Sequence, residues 1–108
     1  MEKSIRVSVK RWQGGPSPDS QLIEACMQAE NLPYYRWSNG PGDVYGAHQH
    51  TYDKVIYVIQ GTITFGLPEE GGQLTLAAGD RLSLPAGVVH NAVVGQHGVV
   101  CLEGHRSR

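Results

Sequence analysis

The sequence predicts a small all-β domain, built as a sandwich or barrel of short strands. Its 108 residues fit one domain. Fourteen glycines and six prolines divide the chain into short segments, and turn signals every ~8–12 residues are typical of all-β domains. Several segments alternate apolar and polar residues, as strands with one buried face do. The predicted strands are residues 44–49, 54–60, 62–65, 73–76, 81–84, 88–94 and 99–102.

The composition excludes several classes of protein. Hydrophobic residues make up 40% of the chain, which is enough for a packed core and argues against wholesale disorder. Nine Lys and Arg residues are balanced by ten Asp and Glu residues without a basic cluster, so no nucleic-acid partner is expected. The longest purely apolar run, residues 55–59, is far shorter than the ~20 residues that span a bilayer, so no membrane segment is expected.

Two further features bear on the compartment. The first ten residues, MEKSIRVSVK, lack the apolar segment of a secretory signal. The cysteines, Cys26 and Cys101, are too few for a disulfide scaffold, so we expect reduced intracellular thiols. Together these features predict a soluble, cytoplasmic protein.

One segment has the pattern of a helix instead of a strand. Residues 19–31 contain good helix formers, with Ser17 as the expected N-cap and Pro18 at the first helical position. Pro33 disfavours helix at the residue before it and so ends the segment. Helical spacing predicts an apolar stripe of Leu22, Cys26 and Ala29.

The predicted strand 54–60 is apolar on both faces after its first residue. A strand with one face in water should alternate more cleanly. Something other than the barrel interior must therefore cover one face, and either the short helix or a second copy of the chain could do so. On this basis we predict a homodimer.

Three histidines occur in a spaced pattern with glycines. His48 and His50 are two residues apart, so their side chains share one face of a strand. Gly42 precedes the pair and Gly61 follows it, which is similar to cupin motif one, G-x5-H-x-H-x3–4-E-x6-G. A second set is similar to cupin motif two, G-x5-P-x-G-x2-H-x3-N, and consists of Gly79, Pro85, Gly87 and His90.

The resemblance covers residues 42–94 and implies the cupin fold, an all-β double-stranded β-helix or jelly-roll barrel. Residues 1–33, with an N-terminal strand and the short helix, would belong to the same domain as the barrel of residues 34–108. The resemblance also implies that His48, His50 and His90 bind a divalent metal ion. Neutral imidazoles suit Zn, Cu, Fe and Ni, and three ligands leave positions open for water or substrate. The expected cofactor is a divalent ion of Zn, Fe, Ni, Cu or Mn.

The sequence departs from the motifs at two positions. Lys54 stands where motif one has its metal-binding glutamate, and Val94 stands where motif two has its asparagine. A positive charge ~6 Å from a divalent cation costs roughly 5 kcal/mol at an effective dielectric constant of ~20. Lys54 could bend to solvent, pair with a carboxylate such as Glu103, or lose its proton. Alternatively, a bulge could turn Asp53 inward to replace the carboxylate.

Other side chains have two open interpretations. Aromatic residues near motif one could line the mouth of the pocket or pack in the core, namely Tyr34, Tyr35, Trp37, Tyr45 and Tyr52. Cys101 could face the cavity or behave as a small apolar residue. His97 is expected in a turn and His105 in solvent.

Three functions from different classes fit these features. The first is a metal-dependent enzyme on a small organic molecule, dioxygenase- or isomerase-like, with Lys54 as a catalytic residue that anchors an anion or donates a proton. The site resembles that of thiol dioxygenases, which also lack the carboxylate. The second is a non-catalytic barrel that binds a small ligand. The third is a structural or regulatory dimer with a vestigial pocket.

Overall fold

The computed structural model describes residues 7–15 and 18–107. Within them the chain forms one helix and seven strands. In chain order these are β1 (Ser8–Lys10), α1 (Ser20–Ala29), β2 (Tyr34–Asn39), β3 (Val44–His48), β4 (Asp53–Gly66), β5 (Gln73–Ala77), β6 (Arg81–Leu84) and β7 (His90–Arg106).

The two long strands, β4 and β7, organise the fold. They pair antiparallel along their length, from Asp53 opposite Arg106 to Gly66 opposite Asn91. The first part of β4 pairs with β6 and its last part with β5, while β7 pairs with β3 near its start and with β2 near its end. The result is one seven-stranded sheet that follows the path β1-β6-β4-β7-β2, with β5 paired to β4 and β3 paired to β7 off this path. This architecture confirms the predicted all-β jelly roll with one short helix.

Two of the predicted strand ends are wrong. Gly61 was expected to separate two strands, and so were residues 95–98, but β4 and β7 run through these positions. Gly61 and Gly98 have φ of 81° and 79°. The register shifts near Gly61, so this glycine forms an irregularity at the bend of β4 instead of a turn. A Cβ atom there would overlap the carbonyl oxygen of Gly98. His97 consequently lies exposed within β7 and not in a turn.

The main core is made by buried side chains of β4, β5, β6 and β7 and of the residue that follows β4. Its buried members are Ile56, Val58, Ile63, Phe65, Leu67, Leu76, Leu82, Leu84, Ala92, Val94, Val99 and Cys101. Cys101 is therefore a core residue. Burial raises the pKa of its thiol to about 12.

The helix differs from the prediction in its cap and in its buried face. Its N-cap is Asp19, whose side chain accepts a hydrogen bond from the Gln21 amide at 2.8 Å. The predicted cap, Ser17, lies outside the described residues. The buried pair is Ile23 and Met27. The predicted stripe of Leu22, Cys26 and Ala29 is exposed, because Ile23 and Met27, which have the same i, i+4 spacing, face the sheet instead.

The helix covers the second apolar face of β4. Ile23 and Met27 pack in a cluster with Val55, Tyr57, Ile59 and Leu102. Since the chain's own helix buries this face, the two-faced apolar pattern of β4 does not require a second copy, and the homodimer stays a prediction.

The end of the helix is joined to the sheet by a buried polar contact. Glu30 accepts hydrogen bonds from the Tyr57 hydroxyl and from the Arg81 guanidinium, each at 2.7 Å. The hydrogen bond from Arg81 lowers the pKa of Glu30. Among the residues that the structure describes, no helix is long and apolar enough to cross a membrane.

Candidate metal centre

The three motif histidines meet at one end of the barrel. His48 ends β3, His90 begins β7, and the two are paired across the strands, while His50 lies in the following loop. Their ring centroids are 4.4 Å apart for His48 and His90, 4.8 Å for His48 and His50, and 5.3 Å for His50 and His90. One potential ligand atom from each ring lies within 4.8 Å of the others. The structure thus brings together all three residues that the motif resemblance named as metal ligands.

Each ring is oriented through its Nδ1 atom. The Nδ1–H groups of His48 and His90 donate to the carbonyl oxygens of Gly46 and Val88, at 2.6 and 2.9 Å. His50 shares a hydrogen bond of 3.0 Å between its Nδ1 atom and the Tyr52 hydroxyl. Because a carbonyl can only accept, the contacts of His48 and His90 fix their tautomers and leave Nε2 with its lone pair, as metal-binding histidines require. The Tyr52 hydroxyl gives His50 the same tautomer when it donates to Nδ1.

Two of the three Nε2 atoms are buried and unsatisfied. Within the described residues, the Nε2 atoms of His50 and His90 have no hydrogen-bond partner. A buried polar atom without a partner costs about 1–3 kcal/mol. A divalent cation would satisfy both atoms, so the orphaned nitrogens fit a metal site.

The environment also favours the neutral form of His50 and His90. Burial lowers the pKa of His50 to about 4, with a further decrease from the positive charge of Lys54. Burial is also the main cause that lowers the pKa of His90. Neutral imidazole is the form that binds metal.

Lys54 points into the barrel beside this cluster. Its Nζ atom lies 3.5 Å from Oε2 of Glu103, and the two side chains are 11% and 7% exposed. Of the arrangements open from the sequence, the structure therefore contains the ion pair with Glu103. Asp53 does not replace the missing carboxylate: its Oδ1 atom accepts a hydrogen bond from the Ala86 amide at 2.9 Å, and the irregularities of β4 begin only after Val58.

Glu103 is held by three other donors. Its carboxylate accepts from the Tyr35 hydroxyl at 2.9 Å, from the Trp37 indole at 2.9 Å and from His105 at 2.6 Å. Burial raises the pKa of Glu103, but the hydrogen bond from His105, the Lys54 charge and the Tyr35 hydroxyl outweigh it, so the net pKa lies below its ordinary value. Glu103 is thus a buried, ionised carboxylate that contacts several side chains of the site.

His105 was expected in solvent, and this expectation is wrong. Its side chain is one-third exposed, its Nε2 atom contacts Glu103, and its ring centroid lies 4.0 Å from that of Tyr52. The sequence places His105 on the same strand parity as Glu103 and Cys101, which is the signal that could have located it.

The histidines, Lys54 and Glu103 open onto one cavity of about 420 Å³. Four of the five candidate aromatic residues line it; the fifth, Tyr34, packs against the helix cluster and donates to Glu24 at 2.9 Å. The lining residues are Tyr35, Trp37, Ser38, Asn39, Tyr45, His48, His50, Tyr52, Lys54, Ile56, Ile63, Phe65, His90, Ala92 and Glu103. The volume suits a small organic ligand.

Solved structures share this fold. An RmlC-like cupin from Shewanella frigidimarina NCIMB 400 is 25% identical with a TM-score of 0.62, over 71% of this chain and 67% of that one. The polyketide cyclase RemF from Streptomyces resistomycificus is 22% identical with a TM-score of 0.64, and the match covers 71% of this chain and 55% of that one. A structure of the DMSP lyases RdDddP and RnDddQII is 26% identical with a TM-score of 0.65, and the match covers 70% of this chain and 38% of that one.

Sequence comparison agrees with the fold. No curated protein matches the chain. The sequence model of the family described as Cupin domain matches residues 35–104, which include both histidine motifs and every strand from β3 to β6. This match covers more than half of the chain, and the chain therefore belongs to the cupin family.

Proposed function

We propose that the protein binds one divalent metal ion through His48, His50 and His90 and uses it to act on a small organic molecule. The observation that carries this proposal is the pair of buried Nε2 atoms, on His50 and His90, that have no hydrogen-bond partner among the described residues. Three imidazole rings, each held by a hydrogen bond at Nδ1, are a donor set suited to Zn, Fe, Ni or Cu.

The bound ion would supply a Lewis acid with coordination positions open to a ligand. The chain's own residues define the rest of the site. Tyr52 orients His50 through the Nδ1 hydrogen bond. Ile56, Ile63 and Phe65 are buried core residues that line the cavity. An apolar lining strengthens electrostatic interactions with the ligand because it lowers the local dielectric constant.

Lys54 is the residue that we propose as catalytic, because it is the cationic side chain that lines the cavity. Its ammonium could anchor a negative group of the ligand or donate a proton to it. Glu103 is a positioning residue, since it holds the ammonium through the 3.5 Å ion pair and is itself fixed by Tyr35 and Trp37.

The comparisons support a place among enzymes without naming a reaction. The polyketide cyclase and the DMSP lyases are enzymes by their names and share the fold. The likeness to the cyclase is one of fold alone, and this chain covers only 38% of the lyase chain. The choice between dioxygenase- and isomerase-like chemistry depends on the metal and the substrate. A cytoplasmic homodimer stays a prediction from the sequence.

Metal titration tests the proposal. The ions used are Zn²⁺, Ni²⁺ and Mn²⁺. An ion that binds only the folded state stabilises it by ~2.7 kcal/mol when its free concentration is about 100 times the Kd. This raises the Tm of a domain of this size by roughly 10 °C or more. We expect this rise in the wild type and in His97→Ala, a control at an exposed histidine of β7. It should be absent from His90→Ala. Equal rises in both variants would overturn the proposed ligand set.

The second candidate is a non-catalytic barrel that binds a small ligand. The observation that favours it is Lys54 at the position of the motif glutamate, which gives the cavity a fixed cation in place of a metal ligand. The two candidates differ in turnover: an enzyme converts the bound molecule, and mass spectrometry of a ligand after prolonged incubation detects conversion. Recovery of the ligand unchanged with metal present would favour the binding module.

A further inference from the structure

The two charged side chains of the cavity, Glu103 and Lys54, differ in how many polar contacts they make. Glu103 has four donors, namely Tyr35, Trp37, His105 and Lys54. Lys54, by contrast, has three N–H donors and, within the described part of the chain, one polar contact, the 3.5 Å approach to Glu103. Its side chain is nine-tenths buried and lines the cavity. A buried ammonium with spare donors is a site for an anionic oxygen.

Most of the remaining polar side chains of the lining are already engaged, and Ser38 is exposed at the surface. The Tyr45 hydroxyl donates to the Asn39 side-chain oxygen, and the Asn39 amide nitrogen lies 3.4 Å from Asp43. The Tyr52 hydroxyl is held by His50. A sugar or another polyol needs many hydrogen-bonding groups, and this cavity has few to offer.

The rest of the lining is apolar. Ile56, Ile63, Phe65 and Ala92 line the cavity as buried apolar residues, together with aromatic rings such as Trp37. The occupant should therefore carry a hydrocarbon body, and flat bodies gain from contact with aromatic rings. The described lining holds a single cationic side chain, Lys54, and no arginine. A phosphate group is usually held by several donors or by arginine, so one ammonium fits a carboxylate better.

We propose that the cavity selects a small monocarboxylic acid with an apolar body, whose carboxylate pairs with the Lys54 ammonium. This inference deepens the proposed function and rests on it only in taking the bound acid to be the molecule on which the metal acts. Glu103 positions Lys54 and neutralises part of its charge. A bound metal adds two positive charges, which further favours an anionic ligand.

Calorimetric titration with benzoate tests this inference. Benzoate has one carboxylate on an apolar ring, and benzamide is its neutral counterpart of the same shape. We expect benzoate to bind the wild type and to bind Lys54→Met about 10- to 100-fold more weakly, which is the effect of one lost charge-assisted hydrogen bond. Lys10→Met, at an exposed lysine of β1, should bind benzoate as the wild type does. Benzamide should bind all three proteins equally and weakly, which shows that the cavity is intact.

Three results would overturn the inference: no benzoate binding at millimolar concentration, equal binding to wild type and Lys54→Met, or benzamide binding as tight as that of benzoate. The titration is repeated after dialysis against a chelator, with metal content measured in each sample. Binding that depends on Lys54 in a protein that takes up no metal would leave this inference standing and remove the proposed function. If the histidines bind metal but Lys54→Met binds benzoate as the wild type does, the proposed function stands and this inference is removed.

Discussion

The Nζ atom of Lys54 lies 3.5 Å from Oε2 of Glu103, with both side chains almost fully buried beside the three histidines. The pair occupies the place where the cupin motif has a metal-binding glutamate. The site thus contains a carboxylate, but one that comes from β7 instead of β4 and binds a lysine. The four contacts of Glu103 make this pair a structural unit as well as a part of the site.

Glu103→Gln should destabilise the fold by about 3–5 kcal/mol, because it leaves Lys54 buried without its anion and weakens three hydrogen bonds. Urea unfolding monitors the change. Glu69→Gln, in an exposed turn, serves as control and should change stability by less than about 0.5 kcal/mol. The double variant Lys54→Met/Glu103→Gln should lose less than the sum of the two single variants; additive losses would show that the residues do not interact.

Tyr52→Phe should lower the affinity for metal by about 10- to 100-fold, because the hydrogen bond that orients His50 is lost. Competition with a chromophoric chelator measures this affinity. The control is Tyr34→Phe, which removes a hydroxyl that donates to Glu24, away from the cavity. Should both variants bind metal like the wild type, Tyr52 has no orienting role.

Ile23→Ala and Met27→Ala should each cost about 2–5 kcal/mol, since both side chains are fully buried under the helix. Leu22→Ala should cost less than about 1 kcal/mol, because that side chain is 54% exposed. Thermal and chemical unfolding distinguish the two faces of the helix. The reverse order of losses would mean that the face predicted from Leu22 is the buried one.

Glu30 should make stability depend on acid pH. The hydrogen bond from Arg81 lowers the pKa of Glu30 from its ordinary value of 4.5. The folded state therefore favours the ionised form, and its contribution is present above pH 4.5 and lost as the pH falls through the folded pKa. Relative to the wild type, Glu30→Gln should be less stable at pH 7 by about 1–3 kcal/mol.

The difference between wild type and Glu30→Gln should shrink as the pH falls below 4.5. Urea unfolding of both proteins at a series of pH values measures this difference in stability. Glu70→Gln, at an exposed carboxylate in the turn after β4, should show no such trend. A difference that stays constant with pH would exclude the ionised Glu30–Arg81 contact as its cause.

Local patterns made the site predictable to a large extent. The spacing of His48 and His50 fixes their common face, and the glycine positions identify the motif that adds His90. The inward direction of Lys54 follows from strand parity, and Glu103 was one of its possible partners. The ion pair itself depends on the register between β4 and β7, which residue spacing within one strand does not determine.

The wrong predictions likewise concern features that depend on contacts between distant segments of the chain. Glycine at position 61 is compatible with a turn or with a bent strand, and only the close approach of Gly98 requires the second. Both helix faces have apolar residues at helical spacing, and the sheet decides that Ile23 and Met27 are buried. His105 looked like a residue of a charged tail, but the length of β7 brings it back to Glu103.

The central claim is that three histidines hold a metal ion, and elemental analysis tests it most directly. The protein is purified without a histidine tag, as wild type, His50→Ala and the exposed-site control His97→Ala. We predict close to one divalent metal ion per chain in the wild type and in His97→Ala, and almost none in His50→Ala. Wild-type protein that stays free of metal after incubation with Zn²⁺, Ni²⁺, Mn²⁺ and Fe²⁺, or His50→Ala that retains the full amount, would contradict the account.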